Sequence, residues 1–180
     1  NIKNYIMIFP GHIASGFLMT TAVLHLLNPE ITPIQTNFLL AFGTLAGDFP
    51  DIDIAYHFIK KRNTNPEDLG NHRHYITHAP ILWFILGLVI FLANTNPFFK
   101  LIGLLTWLGP WMHFLCDSID YGVMWLWPFS NRRFSLIKWN EPTGLISKSP
   151  WGRLFEKYRR VPTFYVEIIL TIIAIVVLMQ

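Results

Sequence analysis

The sequence predicts an all-α protein, a polytopic membrane bundle of about five transmembrane or membrane-embedded helices. Hydrophobic residues make up 52% of the chain and charged residues only 14%, whereas soluble domains carry about 25% charged residues. Backbone inside lipid must satisfy its own hydrogen bonds, so helices are the expected element. The apolar residues fall into five segments at roughly 12–28, 34–47, 78–94, 98–116 and 163–179.

Two short turns join these segments into pairs: NPEITP at 28–33 and NTNP at 94–97. Turns rich in Pro and Asn are typical of helical hairpins. A helix that crosses a bilayer needs about 20 apolar residues, with about 17 at the low end. The second segment is short and ends in GDFPDID, so we expect it to span only partly or to pack against other helices. The last segment, TFYVEIILTIIAIVVLM, is the clearest span and carries one acid, Glu167.

The cations predict an orientation. Of the 14 Lys and Arg residues, only Lys100 falls near the two short turns. Because positive residues concentrate in cytoplasmic loops, the N-terminus and the loops 48–77 and 117–162 are predicted to face the cytoplasm, as in a bacterial inner membrane protein. A competing interpretation is that some of these cations bind anionic headgroups, and both interpretations are compatible.

The chain is predicted to form a single membrane-embedded domain, 1–180. Its polar motifs lie within 11–135, followed by a basic interfacial loop at 130–162 and a C-terminal transmembrane helix at 163–179. The single cysteine, Cys116, excludes an intramolecular disulfide and a zinc site built from cysteines.

Histidines and aspartates gather at helix ends that are predicted to lie at one membrane face. His12 opens the first helix, and HRHYITH at 72–78 precedes the third. His113 and Asp117 are four residues apart and share a helix face, which Asp120 joins if the helix continues. The ionisable residues at this level are His12, Asp48, Asp51, Asp53, His72, His74, His78, His113, Asp117 and Asp120.

Mixed His and Asp ligands suit zinc, manganese or iron. Ionisable groups at membrane helix ends are costly unless they are paired or functional. More than four candidate ligands indicate two metals rather than one, and paired metals clamp the attacking and leaving oxygens of phosphoester hydrolysis. Taken alone, DFPDID could instead be a turn that caps a helix, and Arg132 and Arg133 could be simple membrane anchors.

Five motifs resemble, in order, those of the YdjM-like family of membrane-bound metal-dependent hydrolases, which are LexA-regulated in some bacteria. They are GH (11–12), PDID (50–53), HR…TH (72–78), HFLCD (113–117) and GVMWLWPF (122–129). The resemblance implies a ligand set of His12, Asp51, Asp53, His72, His78, His113 and Asp117. Here three residues separate HR from TH where the family has two, so His72 or His74 could be the first histidine. Asp48 and Asp120 fall outside the pattern and are candidates for supporting the ligands.

HFLCD is also similar to the HxxxD helix motif of zinc-dependent phospholipase C and P1 nuclease, which are all-helical phosphodiesterases. The resemblance implies two or three divalent ions, zinc foremost, and a lipid or lipid-linked phosphate substrate cleaved by metal-activated water. No nucleic-acid partner is expected. Asp51 or Asp53 would orient the water or accept its proton. The cations expected to bind phosphate oxygens are Arg73, Arg132 and Arg133.

Two other classes of protein compete with a hydrolase. One is a metal or ion transporter, but transport sites usually lie near the bilayer midplane within repeated halves. The polar residues here lie at helix ends, and the sequence has no repeat. The other is a membrane scaffold that a metal stabilises. Structural zinc sites are closed by four protein ligands, whereas catalytic sites keep an open position, so the surplus of candidate ligands favours catalysis.

Overall fold

The computed structural model describes residues 9–61, 75–137 and 144–180. These residues form seven α-helices and no strand, with one isolated bridge between Val123 and Phe134. The all-α prediction is therefore confirmed. The helices are α1 (Phe9–Leu27), α2 (Pro33–Ala46), α3 (Ile52–Lys61), α4 (Pro80–Ala93), α5 (Pro97–Asp117), α6 (Pro150–Tyr158) and α7 (Pro162–Leu178).

The five apolar segments each form a helix, and the two predicted hairpins are α1–α2 and α4–α5. Thr32 begins α2 with a capping box: its hydroxyl accepts the Gln35 N–H, and the Gln35 side chain accepts the Thr32 N–H. Asn96 caps α5 by accepting the Phe98 N–H. These side chains satisfy N–H groups that a helix start otherwise leaves without partners.

Helix α1 approaches α2 closely because glycines face each other at the crossing. A side chain at Gly16 would lie 2.7 Å from the Gly43 carbonyl oxygen, and one at Gly47 would lie 2.5 Å from the His12 carbonyl oxygen. Between membrane helices, small residues of this kind allow close backbone packing. The crossing therefore sets the distance between the start of α1 and the end of α2.

Two helices were not expected. Helix α3 follows a 3-10 turn at Phe49–Asp51, and α6 lies within the predicted basic loop. The third apolar segment, predicted from residue 78, becomes helical slightly later, because His78 lies in a 3-10 turn at Ile76–His78 and α4 begins at Pro80. Proline suits the first position of a helix and disfavours helical backbone in the residue before it.

Within the described residues, α5 is the one helix long and apolar enough to cross a membrane by itself. Helices α6 and α7 would add a second span if taken together, although they are bent by 78°. Helix α4 is apolar but has only 14 residues. The bundle of five spans therefore stays a prediction.

Candidate metal centre

The end of α5 supplies two of the clustered side chains. His113 and Asp117 are one turn apart and fully buried, and His113 Nε2 lies 3.7 Å from Asp117 Oδ2. The predicted shared face of His113 and Asp117 is thus confirmed. Asp120 does not join them because α5 ends at Asp117; its Oδ2 instead accepts the Thr163 N–H at 3.3 Å.

The orientation of the His113 ring follows from its contact with the end of α2. Its Nδ1 lies 3.0 Å from the Gly47 carbonyl oxygen. A carbonyl can only accept a hydrogen bond, so Nδ1 carries the proton. The lone pair of the neutral ring is then on Nε2, which lies 3.6 Å from Asp51 Oδ1.

His12, in the first turns of α1, stacks directly on His113. The two ring centroids are 3.6 Å apart, and the ring planes differ by 16°. His12 Nε2 lies 3.9 Å from Asp117 Oδ1, and the His12 side chain is fully buried. Because two cationic rings would repel each other at this spacing, the stack suits neutral imidazoles, the form that binds metals.

His78 approaches the cluster from the turn before α4. Its Nδ1 donates to Asp53 Oδ2 at 2.8 Å, and the Thr77 hydroxyl donates to the same oxygen at 2.6 Å. His78 Nε2 faces Asp51 Oδ1 at 3.3 Å. Histidines that bind metals through one ring nitrogen usually donate a hydrogen bond from the other ring nitrogen to a carboxylate. Asp53 therefore lies behind His78, on the opposite ring nitrogen from Asp51.

Electrostatics at His78 suit a cation. Burial lowers the pKa of His78, but hydrogen bonds and charges from Asp51 and Asp53 outweigh that effect and raise the pKa to about 9. Without a metal ion, the His78 ring is therefore protonated and positively charged. A divalent ion at Nε2 would take the place of one proton in this negatively charged surrounding.

The facing distances within the cluster are close to the spacing of metal ligands. The facing nitrogen and oxygen atoms are 3.3, 3.6, 3.7 and 3.9 Å apart, mostly beyond hydrogen-bond range. Zinc bonds of about 2.0–2.2 Å place neighbouring ligand atoms about 3.3–3.6 Å apart in a tetrahedron. Within the described residues, two ligand triads satisfy the spacing of a metal site: His12, His113 and Asp117, and Asp51, His78 and His113.

The remaining predicted residues belong to neither ligand triad or lie outside the described ranges. Asp48 precedes the 3-10 turn of Asp51, and burial together with the charge of Asp51 raises the pKa of Asp48 to about 7. Arg132 and Arg133 lie in a segment that returns along the end of α5, where the Phe134 N–H donates to the Val123 carbonyl. Outside the described residues are His72, Arg73 and His74.

One buried acid next to the cluster was not among the predicted site residues. Glu167 of α7 is 4% exposed, and its carboxylate accepts the Tyr158 hydroxyl. It packs against Gly11, where an added side chain would meet its carboxyl carbon at 2.8 Å, and Asp117 interacts with it electrostatically. The available signal was a single acid within an otherwise apolar helix, which usually marks a functional or paired site.

Asp53→Asn tests whether the carboxylate behind His78 contributes to metal binding. We expect the affinity for zinc to fall about 10–100-fold, the range typical when the partner behind a metal-binding histidine is changed. The exposed Glu30→Gln in the α1–α2 turn is the matched loss of a carboxylate. Competition with a zinc-chelating dye measures both. Unchanged affinity in Asp53→Asn would show that the His78–Asp53 contact has no part in metal binding.

Together, the apolar helices and the buried His/Asp cluster define an all-α protein with a site that could bind a divalent metal. The comparison with known families agrees: the description "YdjM inner membrane protein" matches over residues 7–180. The chain belongs to this family and is accordingly an inner membrane protein. No curated protein and no solved structure matches the chain. The similarity to phospholipase C and P1 nuclease thus stays a prediction.

Proposed function

We propose that this protein is a membrane-bound, metal-dependent hydrolase that cleaves a phosphoester of a lipid or lipid-linked substrate. The main support for this proposal is that three buried imidazoles and two carboxylates lie close together. Their facing nitrogen and oxygen atoms are 3.3–3.9 Å apart. A divalent ion bound there would polarise the phosphoester and lower the pKa of a water molecule toward neutrality. Zinc is the first candidate for this His/Asp donor set, with manganese and iron as alternatives.

The two ligand triads share one atom, which constrains how ions can be arranged. His113 Nδ1 donates to the Gly47 carbonyl, so Nε2 is its single available ligand atom. One nitrogen lone pair serves one ion, so both triads cannot be completed through His113 at the same time. We propose one ion at His113. Any second ion would be bound by other groups of the cluster, without His113.

The residues of the chain divide into binding and positioning roles. Asp51 faces both His78 and His113 through Oδ1, and we assign its carboxylate as the acceptor of a proton from the attacking water. Asp53 is a positioning residue because its Oδ2 accepts hydrogen bonds from both His78 and Thr77. Asp51 is also the most exposed member of the cluster, at 8%, which favours substrate approach from its side.

The proposed substrate class follows from the location of the site and from the family resemblance. A site at helix ends in an inner membrane protein favours phospholipids or lipid-linked phosphates. All but one of the Lys and Arg residues lie on the side predicted to hold the N-terminus and the loops 48–77 and 117–162. We therefore propose that the site faces the cytoplasm. Arg132 and Arg133 are the proposed phosphate contacts, because a guanidinium group can donate two parallel hydrogen bonds to phosphate oxygens.

A structural metal is the second candidate, and burial favours it. His12, His113 and Asp117 are fully buried, and the cluster joins α1, α5 and the turns before α3 and α4. An ion bound by all five groups would connect distant parts of the chain without an open position for substrate. The two candidates differ in turnover rather than in metal content.

The test uses protein reconstituted with zinc and supplied with short-chain phosphatidylglycerol, a diester, and short-chain phosphatidic acid, a monoester. We expect metal-dependent release of product, with kcat reduced about 10²–10⁴-fold in Asp51→Asn, the usual contribution of a positioned base. Glu30→Gln is the control and should match wild type. If metal-loaded wild type turns over neither lipid while chelation lowers its unfolding temperature, the structural candidate replaces the hydrolase.

A further inference from the structure

Helix α6 meets α7 at a sharp bend. The two helices differ in direction by 78° over the few residues between Tyr158 and Pro162. Helix α7 exposes a long series of aliphatic side chains, as expected for a lipid-facing helix. If α7 follows the membrane normal, α6 lies close to the plane of the membrane surface.

The two faces of α6 differ in a way that suits this position. Leu154 and Tyr158 are buried against the protein, whereas Trp151 and Phe155, one turn apart, are 55% and 54% exposed. Aromatic side chains are enriched at the boundary between headgroups and acyl chains. A short helix with an exposed aromatic face and cationic flanks is typical of one lying in the membrane interface.

A cavity lies at the bend, and its polar lining is cationic. It has a volume of about 670 Å³ and is lined by Phe155, Arg159, Arg160, Phe164 and Tyr165. Two guanidinium groups beside aromatic rings offer paired donors for a phosphate and apolar surface for the adjoining glycerol and acyl carbons.

Arg160 is held in place at this cavity. Its Nη2 donates to Glu156 Oε1 at 2.8 Å, while Glu156 Oε2 accepts the N–H groups of Ile146 and Ser147. These hydrogen bonds, led by that from Ser147, lower the pKa of Glu156 and keep it charged. Residues 153–160 nevertheless contain four cations and only one acid, so the bend stays positively charged.

We propose that the cavity at the α6–α7 bend binds the phosphate of an anionic phospholipid, with α6 lying on the membrane surface. Charge complementarity favours this occupant, because polybasic segments at a membrane are attracted to anionic lipids. The site is separate from the His/Asp cluster and does not depend on hydrolysis.

Native mass spectrometry of the full chain in detergent tests this proposal, with equal amounts of phosphatidylglycerol and phosphatidylcholine as probes. We expect wild type to retain phosphatidylglycerol preferentially. Arg159→Gln should weaken that binding about fivefold, and a double variant with Arg160→Gln about 25-fold, given the usual contribution of each cation near an anionic surface. The single variant leaves the Arg160–Glu156 contact intact, so it remains informative if the double variant folds poorly.

Lys100→Gln is the matched control, because Lys100 lies at the start of α5 beside the Phe91 ring, away from the bend. It should retain phosphatidylglycerol as wild type does. Equal retention of the two lipids by wild type, or undiminished phosphatidylglycerol binding in Arg159→Gln, would overturn the proposal. Displacement of the lipid by an equal concentration of glycerol phosphate would also overturn it, because the site would then recognise a soluble phosphate.

Discussion

His113→Ala should remove the bound metal almost completely. His113 belongs to both ligand triads found within the described residues, so neither triad stays complete after its loss. Replacing the residue that hydrogen-bonds a metal-binding histidine already lowers metal affinity about 10–100-fold. Replacing the shared ligand itself should therefore lower metal affinity more than about 100-fold. Elemental mass spectrometry of purified protein measures the metal content per chain.

The matched control is His25→Ala, an exposed histidine in the last turn of α1, which should keep the metal content of wild type. His113 is fully buried, so His113→Gln serves as a second variant that better preserves volume, and far-UV circular dichroism verifies the helices of both. Metal content in folded His113→Gln and His113→Ala equal to wild type would refute the assignment of this cluster as the metal centre.

Gly47→Ala should destabilise the protein, although Gly47 has an ordinary helical backbone with φ −57° and ψ −22°. At such a position alanine usually stabilises a protein by about 0.4–1 kcal/mol. Here the added methyl group would lie 2.5 Å from the His12 carbonyl oxygen and 3.2 Å from the Gly16 Cα. These are backbone atoms of α1, which cannot rotate away, so we expect a net loss of about 1–3 kcal/mol.

The same substitution should also weaken metal binding. Gly47 contacts the backbone of His12 and its carbonyl oxygen accepts from His113, so separating α1 from α2 moves two ligands at once. Unfolding in denaturant with chelator present measures stability, and zinc titration measures affinity. Leu45→Ala, on the exposed side of α2, should stay within about 0.5 kcal/mol of wild type. Wild-type stability in Gly47→Ala would mean that the α1–α2 crossing is looser than these distances indicate.

Helix positions followed from the sequence with good accuracy because they depend on local order. Apolar runs bounded by Pro and Asn predicted 34–47 and 98–116, and the structure has α2 at Pro33–Ala46 and α5 at Pro97–Asp117. Helix α6 was missed because its apolar residues occur at helical spacing within a cationic stretch, so the average composition resembles a loop. Amphipathic spacing, not composition, was its signal.

The sequence by itself determined which residue types are available and which helix ends carry them. His12, Asp51, His78, His113 and Asp117 were all named from their motifs, and the spacing of HFLCD placed two of them on one helix face. Tertiary structure alone decided that Asp53 lies behind His78, that Asp120 turns toward Thr163, and that Glu167 packs beside the cluster. These outcomes depend on where α5 ends and on how closely α1 approaches α2 and α7. Such approaches are set by contacts between residues far apart in the chain, which local spacing does not encode.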